Sequence, residues 1–585
     1  MKLKIFITIL FVAAIGFVAF SANRTEHFAP AEDFPREALV YVQINDLPRL
    51  INLWNESKFK EKYGESSNFY QFKSSHLGRK LVSRLNEFST ASGFSIDLET
   101  VSSLTANRAA LAIYDIGKLE FVFITPVSDE IFAATKFVQN QDKFAEETLS
   151  DGTKIYRAAV EADRGRQKQE LIFTHAKGRF ILATSEKLLA QTLENISGNG
   201  RKNRLSDEPS FALLSEKTEP HSATVWVNQT RLNADYYFKR YWLMSDAEDL
   251  QNIRAGIFDF EIQAEKLVEQ RRFLLNQNVN ISPISASQIE KLSAFLPADI
   301  PFYRLQKADS KTVGETIEKT IFERQTKEAK RKNYRRFDNF SFDDYNDYSS
   351  GDYEFLSENF DERIDETEDA EIIEKSVAAI NFFGSLQSAN PQAVLRFAKP
   401  KVLPAPLFID FERGAVFHLA SPEGFNRNEF EAKIARKFST QTLVLSPNVE
   451  LNWETKTENN LTWRELKLPM LEWKAVYFLR GNDLILANDV DFLREILSAE
   501  NTRNIESKDA PTTKLTVINL EEKENAFTEI FARLEETSAF GNFFTGNVKS
   551  LLDSISKVKK IEVRENYARN ILEETIIFYI NDESK

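Results

Sequence analysis

Two short stretches, GRFILAT at residues 178–184 and GNDLILAN at residues 481–488, decide how this sequence is organised. In each stretch a glycine turn leads into an apolar strand, and the strand leads into a helix with one apolar face. The same order of turn, strand and helix at two distant places predicts two copies of one unit, with Leu182 and Leu486 buried at matching strand positions. The apolar helix positions are Leu188, Leu189 and Leu193 in the first copy and Phe492, Leu493 and Ile496 in the second.

Further matches extend outward from these two stretches and keep the same order in both halves of the chain. A proline-led entry into a strand opens each half, and a pair of closing strands ends it. Between them, each half is predicted to form a hairpin that turns at Gly117 or at Gly414. Ordered matches of this kind favour duplication over chance similarity. They pair residues 34–42 with 296–304, 111–126 with 407–422, 224–228 with 516–519, and 258–262 with 560–563.

The predicted fold class is α+β, with two tandem diverged copies of a mainly antiparallel sheet unit. Short turns join most of the predicted strands, which favours antiparallel sheets with helices packed on one face. The copies are predicted at residues 34–278 and 295–585, and the polar segment 279–294 between them is predicted to be a linker. Inside the second copy, residues 327–374 change from basic to acidic and aromatic, which predicts a charged flexible insertion.

The amino terminus has the pattern of an export segment. Lys2 and Lys4 precede an apolar run from Ile5 to Phe20, and small polar residues follow it. Residues 1–24 are therefore predicted to be a signal peptide or a membrane anchor, and both remain open. If uncleaved, residues 5–22 would anchor the chain. Either outcome places the rest of the protein outside the cytoplasm, in the periplasm or another extracytoplasmic space.

Composition narrows the function classes. Among 585 residues, 42% are hydrophobic and 48 are Phe, which is typical of a chain with a large folded core. The sequence has no Cys, which excludes disulfides, thiolate nucleophiles and Cys-ligated metals. Its five His are scattered, without the spacing of a metal site. A net charge of -13 argues against nucleic acid as a partner, because phosphate binding needs clustered Lys and Arg.

No run of residues forms a catalytic signature. G-x-S-x-G, the P-loop and G-x-G-x-x-G do not occur, and the S-x-x-K matches at Ser57 with Lys60 and Ser554 with Lys557 lack companion motifs. The acidic stretch around Asp344 lacks the ligand spacing of a calcium loop. We therefore assign no catalytic, cofactor-binding or metal-binding residue and expect no cofactor. Whether the protein is an enzyme stays open, with the balance toward a non-enzyme.

Four features of the sequence form one combined pattern. They are the proline-led strand opening at residues 34–42, the export segment, the Phe-rich duplicated sheets and the G-x-x-I-L-A strand at residues 178–183. Together they resemble an uncharacterised bacterial family of secreted or membrane-anchored proteins that is defined only as a domain of unknown function. The resemblance covers most of the chain, and its motifs are structural. It implies a bacterial envelope setting and carries over no functional residue.

Three functions remain in competition. The leading hypothesis is a non-enzymatic envelope protein that binds another protein or a surface component through its sheets or the cleft between the copies. A second is an envelope hydrolase that uses carboxylates in that cleft as acid and base. A third is a carrier of an apolar ligand, suggested by the many Phe, although Phe more often fills a core.

The export segment generates a first prediction. Full-length protein is expected in the membrane or periplasmic fraction, because residues 5–20 have no use in a soluble fold. Deleting residues 1–24 is expected to leave a soluble, folded product, measured by cell fractionation and circular dichroism. Recovery of the full-length chain from the cytosol would contradict export.

Overall fold

The structure is a computed structural model of the chain. The N-terminal segment 1–24 and the charged insertion 327–374 lie outside the described residues. The described residues are 30–45, 73–74, 76–96, 100, 104, 108–160, 169–200, 203–216, 221–235, 238, 251–263, 266–298, 300–322, 380–402, 409–441, 451–458, 461–467, 474–499, 511–520 and 558–580.

The strands of the described residues number 20, and they pair in antiparallel fashion. The edge strands Ala145–Thr148 and Trp453–Glu458 are exposed along almost their whole length, whereas inner strands such as Arg179–Ala183 and Asp483–Ala487 are buried at consecutive positions. They are β1 Val40–Ile44, β2 Ala109–Asp115, β3 Glu120–Pro126, β4 Ala145–Thr148, β5 Lys154–Val160, β6 Gln169–Ala176, β7 Arg179–Ala183, β8 Ala223–Val227, β9 Ile253–Ile262, β10 Lys266–Leu275, β11 Phe302–Lys307, β12 Pro391–Val402, β13 Ile409–Leu419, β14 Trp453–Glu458, β15 Leu461–Lys467, β16 Lys474–Arg480, β17 Asp483–Ala487, β18 Lys514–Asn519, β19 Val558–Ala568 and β20 Ile571–Ile580.

The helices of the described residues are mostly short and lie between strands. A π-helical turn at Glu318–Phe322 extends the ninth of them. They are α1 Pro30–Asp33, α2 His76–Ser92, α3 Asp129–Ala133, α4 Lys136–Gln139, α5 Glu186–Ser197, α6 Pro209–Ser215, α7 Gln229–Ala234, α8 Ala286–Ser293, α9 Ser310–Ile317, α10 Arg427–Gln441 and α11 Val490–Ser498. Short 3₁₀ turns occur at Gln141–Lys143, Leu205–Asp207, Phe382–Ser385, Gln387–Ala389 and Pro422–Gly424.

The chain divides into two compact units. Unit 1 holds Met1–Ile281 and Lys523–Lys585, and unit 2 holds Ser282–Glu522. In unit 1 the strand order is β4-β5-β6-β7-β3-β2-β1-β8-β9-β10-β20-β19. In unit 2 it is β14-β15-β16-β17-β13-β12-β11-β18. The eight strands of unit 2 thus follow the order of the first eight of unit 1. The α+β class with antiparallel sheets is confirmed.

Both faces of each sheet are covered, so the prediction of helices on one face is wrong. Along β7, Phe180 and Leu182 enter one core cluster, while Ile181 and Ala183 enter another on the opposite face. Residues of α2 pack in the first cluster, and residues of α5 and α6 pack in the second. Unit 2 repeats this arrangement, with α9 and α10 on one face and α8 and α11 on the other. Strands that are apolar at consecutive positions require cover on both faces.

The carboxyl-terminal strands belong to unit 1, which corrects the predicted second copy at residues 295–585. Strand β20 pairs with β10 over nine residues, from Lys266 opposite Tyr579 to Leu274 opposite Ile571. Strand β19 then pairs with β20. Pairing between residues about 300 positions apart leaves no trace in local sequence pattern, because strand register depends on which edge is available.

Gly414 lies inside a strand, which corrects the hairpin predicted for residues 407–422. Strand β13 runs unbroken through this residue, and its hairpin partner is the preceding strand β12. A Cβ on Gly414 would lie 2.5 Å from the ring of Phe397 and 2.9 Å from Ile496. Glycine is needed here for the close approach of side chains, whereas Gly117 does lie in the predicted turn.

The predicted linker at 279–294 contains helix α8 of unit 2. Ser285 and Gln288 form a capping box at its start, which satisfies orphan backbone groups of the first turn. Ile289 and Leu292 are buried in the core of the unit. The sequence pattern does not predict this amphipathic helix, because only two of its positions are apolar and face the sheet, and the residues between them are polar.

Two leucines at matching places in the strand order test the two cores. Leu182 and Leu486 are 7% and 0% exposed, which confirms their predicted burial. Replacing either with Ala is expected to lower the free energy of unfolding by about 2–5 kcal/mol, as for buried leucines generally. Urea denaturation of each variant measures this, and the exposed Leu213 offers a control expected to change little. A negligible loss at both buried positions would contradict the core assignment.

Candidate functional site

Three polar side chains lie side by side at one end of the unit 2 sheet. His418 of β13 pairs with Asp483 of β17, and Asp483 in turn pairs with Arg480 of β16. Directly paired residues place their Cβ atoms roughly 4.5–5.5 Å apart on the same face. The three therefore form a row across adjacent strands.

The row continues an apolar face of the sheet. Two residues before His418 on β13 is Val416, and two residues after Asp483 on β17 is Ile485; both are fully buried in one core cluster. Because side chains alternate between faces with a period of two, His418 and Asp483 project on the same side as that cluster. Here the apolar columns end and polar residues replace them at the rim.

A short hydrogen bond joins His418 to Asp483. The Nδ1 of His418 lies 2.8 Å from Oδ1 of Asp483, and both side chains are mostly buried. An ionised carboxylate only accepts, so Nδ1 carries the proton and donates to Asp483. The carboxylate that lies opposite Arg480 in the strand pairing is thus engaged by the imidazole.

The carboxyl-terminal end of helix α8 completes the site. Lys291 and the half-buried Phe295 line an open depression together with His418, the β16–β17 turn and Asp483. The volume of this depression is about 410 Å³, at the lower end of the range for small-ligand sites. Gly481 occupies the turn with a φ of +57°, a conformation that glycine adopts without strain. This places the turn at the edge of the depression.

The depression carries a net positive charge, because Lys291 and Arg480 outnumber Asp483, the carboxylate in its lining. Within the described residues, neither Lys291 nor Arg480 has an ion-pair or hydrogen-bond partner for its side chain, and both are exposed. Unit 1 differs at the corresponding place in the strand order, where Arg179 binds Asp33 at 2.8 Å and Pro126 stands in place of His418. The two exposed cations of unit 2 therefore remain available to an anionic group in a chain whose net charge is -13.

A second polar cluster of unit 2 is fully engaged within the fold. Glu431 of α10 accepts two hydrogen bonds from Arg464, at 2.8 and 2.7 Å, and one from the hydroxyl of Tyr477. Burial alone raises the pKa of Glu431, but the hydrogen bonds and charge of Arg464 together with the Tyr477 hydroxyl lower it overall. This cluster fastens helix α10 to the sheet and offers nothing to a ligand.

Many of the described Phe of unit 1 lie in its core. Phe137 packs against Phe173 and Phe180, with ring centroids 5.1 Å apart in both pairs. Phe144 lies 4.9 Å from Phe173, edge to face. Rings at these distances occupy the space between sheet and helices, so their number reflects packing.

Neither a metal site nor a membrane-spanning helix is present in the described part of the chain. Across the described ranges, no three His, Asp or Glu side chains come together as a metal site. Of the helices that the structure describes, none has the length and apolarity needed to cross a bilayer.

The sequence pattern assigns no site residues and so misses this row. In the sequence His418 is one of five scattered His, and Asp483 is part of a strand match. The available signal is a polar residue near one end of each of three strands, beside apolar neighbours. It cannot be used without the register, which brings β13, β16 and β17 together.

Comparison with known proteins identifies no family for this chain. No protein-family model matches this chain, and no curated protein matches it. Among solved structures, crystal forms I, III and IV of TP0453 align with TM-scores of 0.24, 0.23 and 0.24 at 12%, 12% and 11% identity. They cover 43%, 43% and 42% of this chain and 81%, 82% and 80% of their own chains. At these TM-scores the likeness carries no argument about fold or function.

Stability measurements separate the two polar groups. Lys291→Gln and Arg480→Gln are expected to change the free energy of unfolding by less than about 0.5 kcal/mol, since neither side chain has a partner among the described residues. Glu431→Gln is expected to cost about 1–3 kcal/mol, because Arg464 and Tyr477 lose a charged acceptor. Urea denaturation monitored by tryptophan fluorescence measures all three variants. A large loss at Lys291 or Arg480 would show that these residues are structural.

Proposed function

We propose that this protein is a non-enzymatic component of the bacterial envelope that binds another protein or a surface component. The observation that carries the proposal is the open depression in unit 2, where Lys291 and Arg480 present positive charge without a partner among the described residues. Lys291 lies in the last turn of α8, where a cation gains a modest interaction with the helix dipole, and Arg480 is exposed without a partner among the described residues. Exposed cations of this kind also attract and orient an anionic partner.

The two units are further proposed to be diverged copies of one ancestral unit. Support comes from the shared order of eight strands and from the helix that follows β7 in unit 1 and β17 in unit 2. The polar row at the depression belongs to unit 2 alone among the described strands, which fits copies that share a scaffold and differ in binding residues.

The envelope setting rests on the sequence. Lysines followed by an apolar run at residues 5–20 have the pattern of an export segment. The resemblance to secreted or anchored bacterial proteins of unknown function points to the same location. If the segment is retained, the membrane is a further partner through residues 5–22.

A hydrolase remains the second candidate; the sequence pattern placed its carboxylates in the cleft between the copies and identified no residues. The hydrogen bond from His418 to Asp483 orients an imidazole in the way that general bases are oriented. Among the described residues, Asp483 is the one carboxylate that lines the depression. The pair of converging carboxylates that would favour a hydrolase is therefore not found among the described residues of this depression. The carrier alternative draws no support from Phe137, Phe173 and Phe180, which pack against one another in the core of unit 1.

Retention by envelope material tests the proposal. The chain without residues 1–24 is incubated with envelope and cytosolic fractions of the source bacterium, and the bound share is quantified after sedimentation. Saturable retention by the envelope fraction is expected, with no soluble fragments released from it. The heat-unfolded chain serves as the control for nonspecific adsorption.

Two results would go against this function. Equal retention by cytosolic and envelope fractions would remove the envelope specificity. The wild-type protein could instead release soluble fragments from the envelope material, and the variants His418→Ala and Asp483→Ala could fail to do so. That result would favour hydrolysis over binding as the function.

A further inference from the structure

We propose that the unit 2 depression binds a phosphate group, held by Lys291 and Arg480 and bordered by His418. The inference rests on the proposed function and names the chemistry that this site recognises. The same chemistry has two sources in an envelope, namely a soluble phosphate ester and the headgroup of an anionic lipid.

The charge of the depression favours an anion. Lys291 provides an ammonium with three donors, and Arg480 provides a guanidinium with five donors arranged as a fork. Asp483 is the opposing charge in the lining, and His418 already donates to it. A phosphate monoester carries close to two negative charges near neutral pH and a lipid phosphodiester carries one, and both present several oxygens that Lys291 and Arg480 can contact together.

The imidazole adds a contact that suits a phosphate. Because Nδ1 donates to Asp483, the second ring nitrogen, Nε2, is the one left for a ligand. In the neutral ring Nε2 accepts, which matches a protonated phosphate oxygen, and in the charged ring it donates to an ionised one. The site therefore has a group able to contact either protonation state of the phosphate.

The fold positions the charged groups of Arg480 and Lys291 at the rim. Arg480 reaches the rim because it ends β16 opposite Asp483, and Lys291 reaches it because α8 packs on that face through Ile289 and Leu292. Phe295, half-buried beside them, gives one wall an apolar surface. A ligand with a phosphate joined to an organic group can therefore use both parts of the depression.

Titration with defined probes tests this site. Binding of inorganic phosphate and of glycerol phosphate is measured by calorimetry, and binding to vesicles of phosphatidylglycerol is compared with vesicles of phosphatidylcholine. The variant Lys291→Gln/Arg480→Gln is expected to lose about tenfold or more in affinity, from two charge contacts of modest strength. The matched control is Lys187→Gln, an exposed lysine of α5 in unit 1, which is expected to bind like the wild type.

The outcomes decide both the site and the source. Saturable binding of glycerol phosphate without preference for phosphatidylglycerol supports the site with a soluble ester as its ligand. Preference for phosphatidylglycerol that is lost in the double variant supports the site with a lipid headgroup. Absence of saturable binding to every probe, or equal binding by the wild type and the double variant, overturns the inference.

Envelope retention separates this inference from the proposed function. If the double variant is retained by the envelope fraction as strongly as the wild type and phosphate does not bind, the site is wrong and the envelope function stands. If phosphate binds but the envelope does not retain the protein, the phosphate site stands and the envelope function fails.

Discussion

The pairing of β10 with β20 is the constraint on which unit 1 depends. It joins residues about 300 positions apart through nine consecutive residue pairs. At its centre, Arg271 donates two hydrogen bonds to Glu269, at 2.6 and 2.7 Å, and its Nη1 lies 3.6 Å from Glu574 of β20. All three side chains are buried, so separating the strands would expose the Arg271–Glu269 pair to water and part Arg271 from Glu574. Closing such a long loop costs entropy, which the long strand pairing must offset.

Coverage of the sheets on both faces explains the composition of the chain. Strands such as β7 and β17 place consecutive apolar side chains in two separate cores, which requires helices on both sides. Phe is suited to these wide layers because each ring fills a large volume and packs edge to face with its neighbours. The same demand explains Gly414, where a strand position must leave room for the ring of Phe397.

The candidate site arises where this packing ends. On three adjacent strands of unit 2 the apolar columns give way to His418, Asp483 and Arg480, and α8 brings Lys291 to the same rim. At the matching place in unit 1, Arg179 forms an ion pair with Asp33. Arg179 therefore differs from Lys291 and Arg480 of the unit 2 depression, which have no such partner among the described residues. A rim of this sort can change its charged residues without disturbing the core, because the buried positions lie two residues away along each strand.

The sequence by itself determined the α+β class, the antiparallel strands and the buried places of Leu182 and Leu486. These follow from local patterns, since turn glycines, apolar runs and helix faces are each written within a few residues. It failed at the assignment of β19 and β20, at the strand through Gly414 and at α8, and it assigned none of the site residues. Each of these depends on which strands become neighbours, and neighbours in a sheet are chosen by edges, register and available cover. Only the tertiary structure therefore decided where the chain's last hairpin pairs and which charged residues meet at one rim.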